Sequence, residues 1–424
     1  MITKAIEIAN GVTINYIETE KFKTNYFSFS FISEINKESA PLNSMIPRIL
    51  THGSGKYPSQ AEIDKRLQYL YSGSIGTRNV ISGNAHIFGI VADMLNDKYT
   101  PDTAVTDEMM ELLCDIIFNP YLENGAFSEK YTEDEKLEVI DTINAEINNK
   151  SSYALKRCTE IMCENEIFSI KKLGSVEDVE KITPTILYDA YKKALESSKI
   201  EIYFVGKVDI EKMAAIFRAY FDKVERNPKE LGKITIVKRA GEVKQICEIQ
   251  DVNQGKLCMG FRISRTLEDG DYHIVQLFNE LYGGSPTSKL FVNVREKKSL
   301  CYTCRSMIMQ KSGIMYVSAG IEASNKQIAE DAILEQLEQV KNRNITDEEL
   351  DSAKKSIKNA YMNLFDNPSG MEYWSLNRKL SDNYDTPDSE AKKIDSTTKE
   401  QLASIAKGIT LDTVYFLKGE DKNG

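Results

Sequence analysis

Residues 181–205, KITPTILYDAYKKALESSKIEIYFV, read as an amphipathic helix followed by a strand, and residues 393–417, KIDSTTKEQLASIAKGITLDTVYFL, read the same way. The helices are predicted over 185–196 and 399–407, and the strands over 199–205 and 413–417. Lys181-Ile182 recurs as Lys393-Ile394 and Tyr203-Phe204 as Tyr415-Phe416, with the same 22-residue spacing from Lys181 to Tyr203 and from Lys393 to Tyr415. A chain that repeats an element pair in this way is built from two copies of one unit.

Working outward, each pair closes a longer run of similar elements. Residues 25–35 (NYFSFSFISEI) alternate aromatic and polar side chains with period two, the pattern of a half-buried strand. Helical periodicity follows over 43–51 and 59–71, then two short strands at 74–80 and 84–91 around Ser82-Gly83, then helices over 107–118 and 129–149. In the second half a strand at 256–262 precedes helices over 272–281 and 287–296. Strands at 302–309 and 314–321 come next, around Lys311-Ser312-Gly313, and then helices over 326–342 and 347–365. The prediction is an α+β protein of two homologous domains, residues 1–225 and 240–424, each a mostly antiparallel sheet with helices packed on one face. Their connector is the charged stretch 226–239, RNPKELGKITIVKR.

The chain has 424 residues, and 54 Lys and Arg stand against 64 Asp and Glu, a net charge of -10. That acidity argues against nucleic acid or an anionic membrane as partner, since both attract surplus cations. No apolar run approaches the ~20 residues of a membrane span, and the N-terminal stretch lacks the apolar core of a secretion signal. The seven cysteines are odd in number and scattered, unlike a disulfide framework. A reduced, cytoplasmic protein is expected. With only three histidines (His52, His86, His273), a histidine-ligated metal centre has little to draw on.

Residues 282–302, YGGSPTSKLFVNVREKKSLCY, carry Tyr282-Gly283-Gly284, Leu290-Phe291, Arg295-Glu296-Lys297, Leu300 and Tyr302. Together with the duplicated layout, this run resembles the pitrilysin/insulinase family of metallopeptidases, most of all its half-length members such as the mitochondrial processing peptidase subunits and their bacterial relatives. The resemblance covers the whole chain. It implies two similar αβ domains per half, and two halves closing around a chamber that holds an unfolded peptide.

The family's catalytic motif, HxxEH, sets two imidazoles at i and i+4 of one helix on zinc, with the Glu as general base. Here the alignment through Gly53–Ser59 places Ser44, Pro47 and Arg48 at those positions. A fixed guanidinium is hostile to a metal cation. Glu146 corresponds to the family's distal ligand, but one carboxylate does not retain zinc. No zinc is therefore expected in this chain, only in its partner. The family's second signature is kept: Arg295 and Tyr302 match the Arg and Tyr that reach across the chamber, bind the substrate backbone and help stabilise the oxyanion.

Other features have plainer readings. Ser44 and Pro47 suit an ordinary helix start, Ser44 as N-cap and Pro47 in the first turn. Cys301-x-x-Cys304 falls in a predicted strand, where i and i+3 face apart, so inert buried thiols are expected. Gly283-Gly284 reads as a turn, residues 129–138 (EKYTEDEKLE) as a solvated helix face, and Met45, Met94, Met109 and Met110 as core. The leading expectation is a catalytically silent subunit that pairs with an HxxEH-bearing homologue and donates Arg295 and Tyr302 to it. The alternative is a structural or peptide-binding homologue acting as an assembly factor. An independent hydrolase with unusual ligands is the third and weakest.

Overall fold

The computed structural model describes residues 2–420. The chain divides into two compact units, the first formed by Met1–Asn144, Ile170–Lys233 and Asp366–Leu376, the second by Ala145–Ser169, Ile234–Phe365 and Asn377–Gly424.

The first unit is built on a six-stranded sheet. Its strands are β1 (Lys4–Ala9), β2 (Val12–Glu18), β3 (Thr24–Glu34), β4 (Ser74–Ser82), β5 (Ala85–Leu95) and β6 (Lys199–Gly206). Their spatial order is β1-β2-β6-β3-β5-β4, antiparallel throughout except for β2 with β6. The 25–35 alternation does what period two requires. Phe27, Phe29 and Phe31 are fully buried on one face, and each such burial contributes about 1.5–3 kcal/mol. Phe27 stacks on Phe217 at 6.0 Å and Phe29 on Phe221 at 6.4 Å, which fastens the Ile210–Phe221 helix to the sheet. The same core takes Met45, Ile46 and Leu50 from the Ser39–Leu50 helix, and Met109, Met110 and Leu113 from the Val105–Phe118 helix.

The other face of β3 is polar. Arg78 of β4 donates from both terminal nitrogens to Glu372 at 2.5 Å, and Ser28 and Tyr26 donate to the same carboxylate at 3.1 and 3.4 Å. Glu372 is fully buried, and a guanidinium and two hydroxyls answer its carboxylate. It arrives on Asp366–Leu376, far along the chain from the strands it completes.

The second unit repeats the plan in five strands. These are β7 (Lys244–Ile249), β8 (Gly255–Arg262), β9 (Cys301–Met309), β10 (Ile314–Ile321) and β11 (Thr410–Lys418). Their order is β9-β10-β8-β11-β7, with only β11 and β7 parallel. This matches β4-β5-β3-β6-β2 strand for strand and sense for sense, so the repeat seen in residues 181–205 and 393–417 extends to the whole sheet. Leu257, Met259 and Phe261 of β8 are buried on one side. Cys258, Gly260 and Arg262 face the Lys150–Met162 helix, a further helix on the second face, where a Cβ on Gly260 would meet Met162 Sδ at 2.6 Å. Arg262 is the anchor of that face. It is 2 % exposed and donates to Glu166 at 2.7 and 3.0 Å, to Asp412 at 2.8 Å and to the Met162 carbonyl at 2.9 Å.

Three local readings are corrected. Ser44 is no N-cap: the helix begins at Ser39, which leaves Ser44 and Pro47 inside it. Pro47 has no N–H to give to the preceding turn, and it is buried within the helix. Gly283-Gly284 ends a π-helical turn, Glu280–Gly284, that continues the Tyr272–Asn279 helix. A Cβ on Gly283 would sit 2.6 Å from the Ser306 backbone nitrogen, so the glycine serves close approach to β9. The predicted helix at 287–296 is likewise π-helical, over Leu290–Lys297.

Candidate functional site

The Ser39–Leu50 helix carries the three positions where the family resemblance expects zinc chemistry. Ser44 is fully buried and its Oγ donates to the Lys172 carbonyl at 2.5 Å. Pro47 offers no donor atom. Arg48 Nη1 lies 3.3 Å from Glu138 Oε2 and 3.5 Å from Glu135 Oε2. His52, just past the helix, completes the cluster: its Nε2 is 2.8 Å from Glu135 Oε1, and its ring stacks on Tyr131 at 4.9 Å. Glu135 is therefore a buried carboxylate held between a guanidinium and an imidazole, 5 % exposed within a run whose other acids face outward. The reading of residues 129–138 as a wholly solvated face is corrected at that residue.

A zinc ion does not fit this donor set. Ser44 spends its hydroxyl on a carbonyl, Pro47 has none, and Arg48 brings a permanent positive charge to the carboxylate a metal would need. Glu146 lies in a 3-10 turn and pairs with Lys156, so the carboxylates that meet Arg48 are Glu135 and Glu138 instead. Among the described residues no group of three or more His, Cys, Asp or Glu side chains is placed to hold a metal.

Arg295 and Tyr302 lie in the second unit, on the last turn of the Leu290–Lys297 segment and on the second residue of β9. The fold brings them together through the backbone. Arg295 Nε donates to the Tyr302 carbonyl at 2.9 Å, and its guanidinium lies over the Phe291 ring at 4.4 Å. Tyr302 is the extra residue of a bulge, because the β9–β10 ladder passes from Cys301↔Ile321 directly to Thr303↔Gly320. Its side chain is 64 % exposed, and the hydroxyl meets Glu322 at 3.3 Å. The bulge also corrects the reading of Cys301 and Cys304. Both are buried, on the same face of the strand.

With this geometry in place, the comparisons are decisive. Residues 181–357 match the model of the peptidase M16 inactive domain. Over 415 residues, 97 % of this chain and 96 % of the other, the sequence is 32 % identical to the probable inactive metalloprotease YmfF of Bacillus subtilis strain 168. The chain belongs to the M16 peptidase family.

More distant M16 relatives include the mitochondrial-processing peptidase subunit beta of Saccharomyces cerevisiae, 22 % identical over 69 % of this chain and 66 % of that one. A conserved protein from Enterococcus faecalis V583 superposes with a TM-score of 0.92 at 27 % identity, covering 99 % of both chains. The comparisons support an M16 fold and an inactive, peptidase-like character. No helix among the described residues is long and apolar enough to cross a membrane.

Proposed function

We propose that this M16 chain is the non-catalytic half of a two-subunit peptidase: it encloses an extended peptide with a homologue bearing HxxEH and lends Arg295 and Tyr302 to that homologue's site. One observation carries the reading. Arg295 is anchored through Nε to the Tyr302 backbone and through its plane to Phe291, while Nη1 and Nη2 form no hydrogen bond among the described residues. A guanidinium fixed on one side and open on the other is a preorganised donor for a peptide carbonyl and for the charge that develops on it. The exposed Tyr302 phenol, which turns to Glu322 here, would be the second donor once it lets that carboxylate go. Metal and general base would come from the partner. A relative named as a subunit, the mitochondrial-processing peptidase subunit beta, agrees with pairing as the working form.

The test is reconstitution. The chain, the HxxEH homologue and their mixture are each assayed for cleavage of an unstructured peptide. Turnover is expected from the mixture and from neither protein alone. Full activity of the homologue by itself, unaltered by this chain, contradicts the proposal.

A further inference from the structure

The two sheets repeat each other except at one edge. In the first unit β1 runs antiparallel along the outer edge of β2. In the second unit β7 takes the place of β2, and among the described residues no strand lies beyond it. Burial follows this difference. Val12, Ile14, Asn15, Tyr16 and Ile17 of β2 are buried, whereas no residue of β7 is, and Lys244, Gln245, Cys247 and Ile249 are exposed. A strand with one row of N–H and C=O groups unpaired is a template for another strand. The usual guards are missing here: Lys244–Ile249 holds no proline and no bulge, and its lysine is turned aside, giving an N–H to the Ile161 carbonyl at 2.7 Å with Glu164 at 3.9 Å. We propose that β7 is a self-association edge: β7 of a second copy of this chain adds to it antiparallel and joins the two five-stranded sheets into one.

Two features favour a second copy over an unrelated strand. The repeat calls for an antiparallel neighbour, as β1 is to β2, and a two-fold axis through the edge delivers that sense by symmetry. The sequence then complements itself. With the axis at Ile246, that residue meets Ile246 of the second copy, Val243 meets Ile249, and Lys244 meets Glu248, the last two pairs each occurring twice. Val243 is 38 % and Ile249 57 % exposed, so the pairing covers apolar surface that now faces water. Glu248 accepts from Tyr153 and Tyr415 within its own chain, yet its side chain is still 28 % exposed. A register centred one residue earlier sets Lys244 against Ile246, and one centred a residue later sets Ile246 against Glu248. Each opposes a charge to an apolar side chain.

The full chain is examined by sedimentation equilibrium over a concentration series. The mass is expected to rise from 48.0 kDa toward twice that value. Ile249→Asp, at an exposed position, is expected to weaken the dimer about tenfold, since symmetry counts each lost contact twice. Lys244→Glu sets like charges opposite one another and is expected to act in the same direction. Cysteines then read the register, because Cys247 is exposed and the other six are buried. In a Cys247→Ser background, Ile246→Cys lies on the axis and is expected to give a disulfide-linked dimer under mild oxidation. Gln245→Cys in the same background faces residue 247 and is expected to stay reduced. A mass of 48.0 kDa at every concentration overturns the proposal. So does a dimer that Ile249→Asp and Lys244→Glu leave unchanged, or one that links through Gln245→Cys in preference to Ile246→Cys. The experiment uses this chain alone, so its outcome is independent of any peptidase partner.

Discussion

Arg295 gives its Nε–H to the carbonyl of Tyr302 at 2.9 Å, so the two residues of the donor pair are tied through the backbone as well as being near in sequence. The seven-residue step between them crosses a positive-φ residue, Ser299 at φ 49°, which reverses the chain before β9 begins. The tie fixes the guanidinium against the strand start through the Tyr302 carbonyl and leaves the phenol free of that task. Anchored cations of this kind recur through the molecule: Arg48, Arg78 and Arg262 each hold carboxylates at a place where the fold needs two elements joined.

Arg48→Met tests the first of these. Arg48 is about a third exposed, whereas Glu135 is buried and would keep only His52 as a counter-group. A loss of about 1–3 kcal/mol is expected in urea unfolding, less than for a fully buried pair because solvent still reaches the arginine. Wild-type stability for the variant would show that the cluster is ornamental.

Arg262→Met should cost more, about 3–5 kcal/mol, since it strands the carboxylates of Glu166 and Asp412 in a nearly dry site. Limited proteolysis reads the local consequence. Cleavage is expected to appear first between Cys163 and Ser169, the segment whose Glu166 loses its anchor. An unchanged digestion pattern would remove Arg262 from that role.

His86 gives the molecule an acid-sensitive element. It is fully buried in β5, its Nε2 is 2.8 Å from Asn79 Oδ1, and burial together with the Lys172 charge depresses its pKa to about 4. The unfolded imidazole titrates near 6.5, so between those values the unfolded chain takes up a proton that the folded chain refuses. This contribution is fully present above about pH 6.5 and is lost as the pH falls toward 4, by on the order of 3 kcal/mol. His86→Gln should flatten that part of the stability–pH curve relative to wild type. Parallel curves for the two proteins would contradict the assignment.

The sequence carried the repeat because a sheet edge, a helix pair and a hairpin leave periodic marks, and residues 25–35 and 181–205 bear them plainly. It showed β1 and β2 less plainly. Asn10-Gly11 between alternating apolar residues is a strong hairpin signal, and Gly11 does adopt φ 67°, yet an N-terminal stretch weighed for export is easily not weighed for pairing. The Lys150–Met162 helix was hidden by its own composition: only Ala154, Cys158 and Met162 are buried, a narrow stripe under polar neighbours. At the candidate site, the residue types alone show no HxxEH motif and set Ser44, Pro47 and Arg48 on the first helix. Glu135 could not be read that way, since its burial depends on how two helices face each other. The bulge at Tyr302 was equally invisible, because one extra residue in a ladder is a property of the pairing and leaves no trace in the strand's own pattern.

The central claim is that this chain contributes donors to a reaction whose metal belongs to another subunit. The most direct measurement is steady-state peptide cleavage by the reconstituted pair, with Arg295→Ala introduced into this chain only. Loss of one preorganised oxyanion donor predicts a fall of roughly 10²–10³ in kcat with complex formation unchanged. Undiminished kcat in a complex that still assembles would contradict the account.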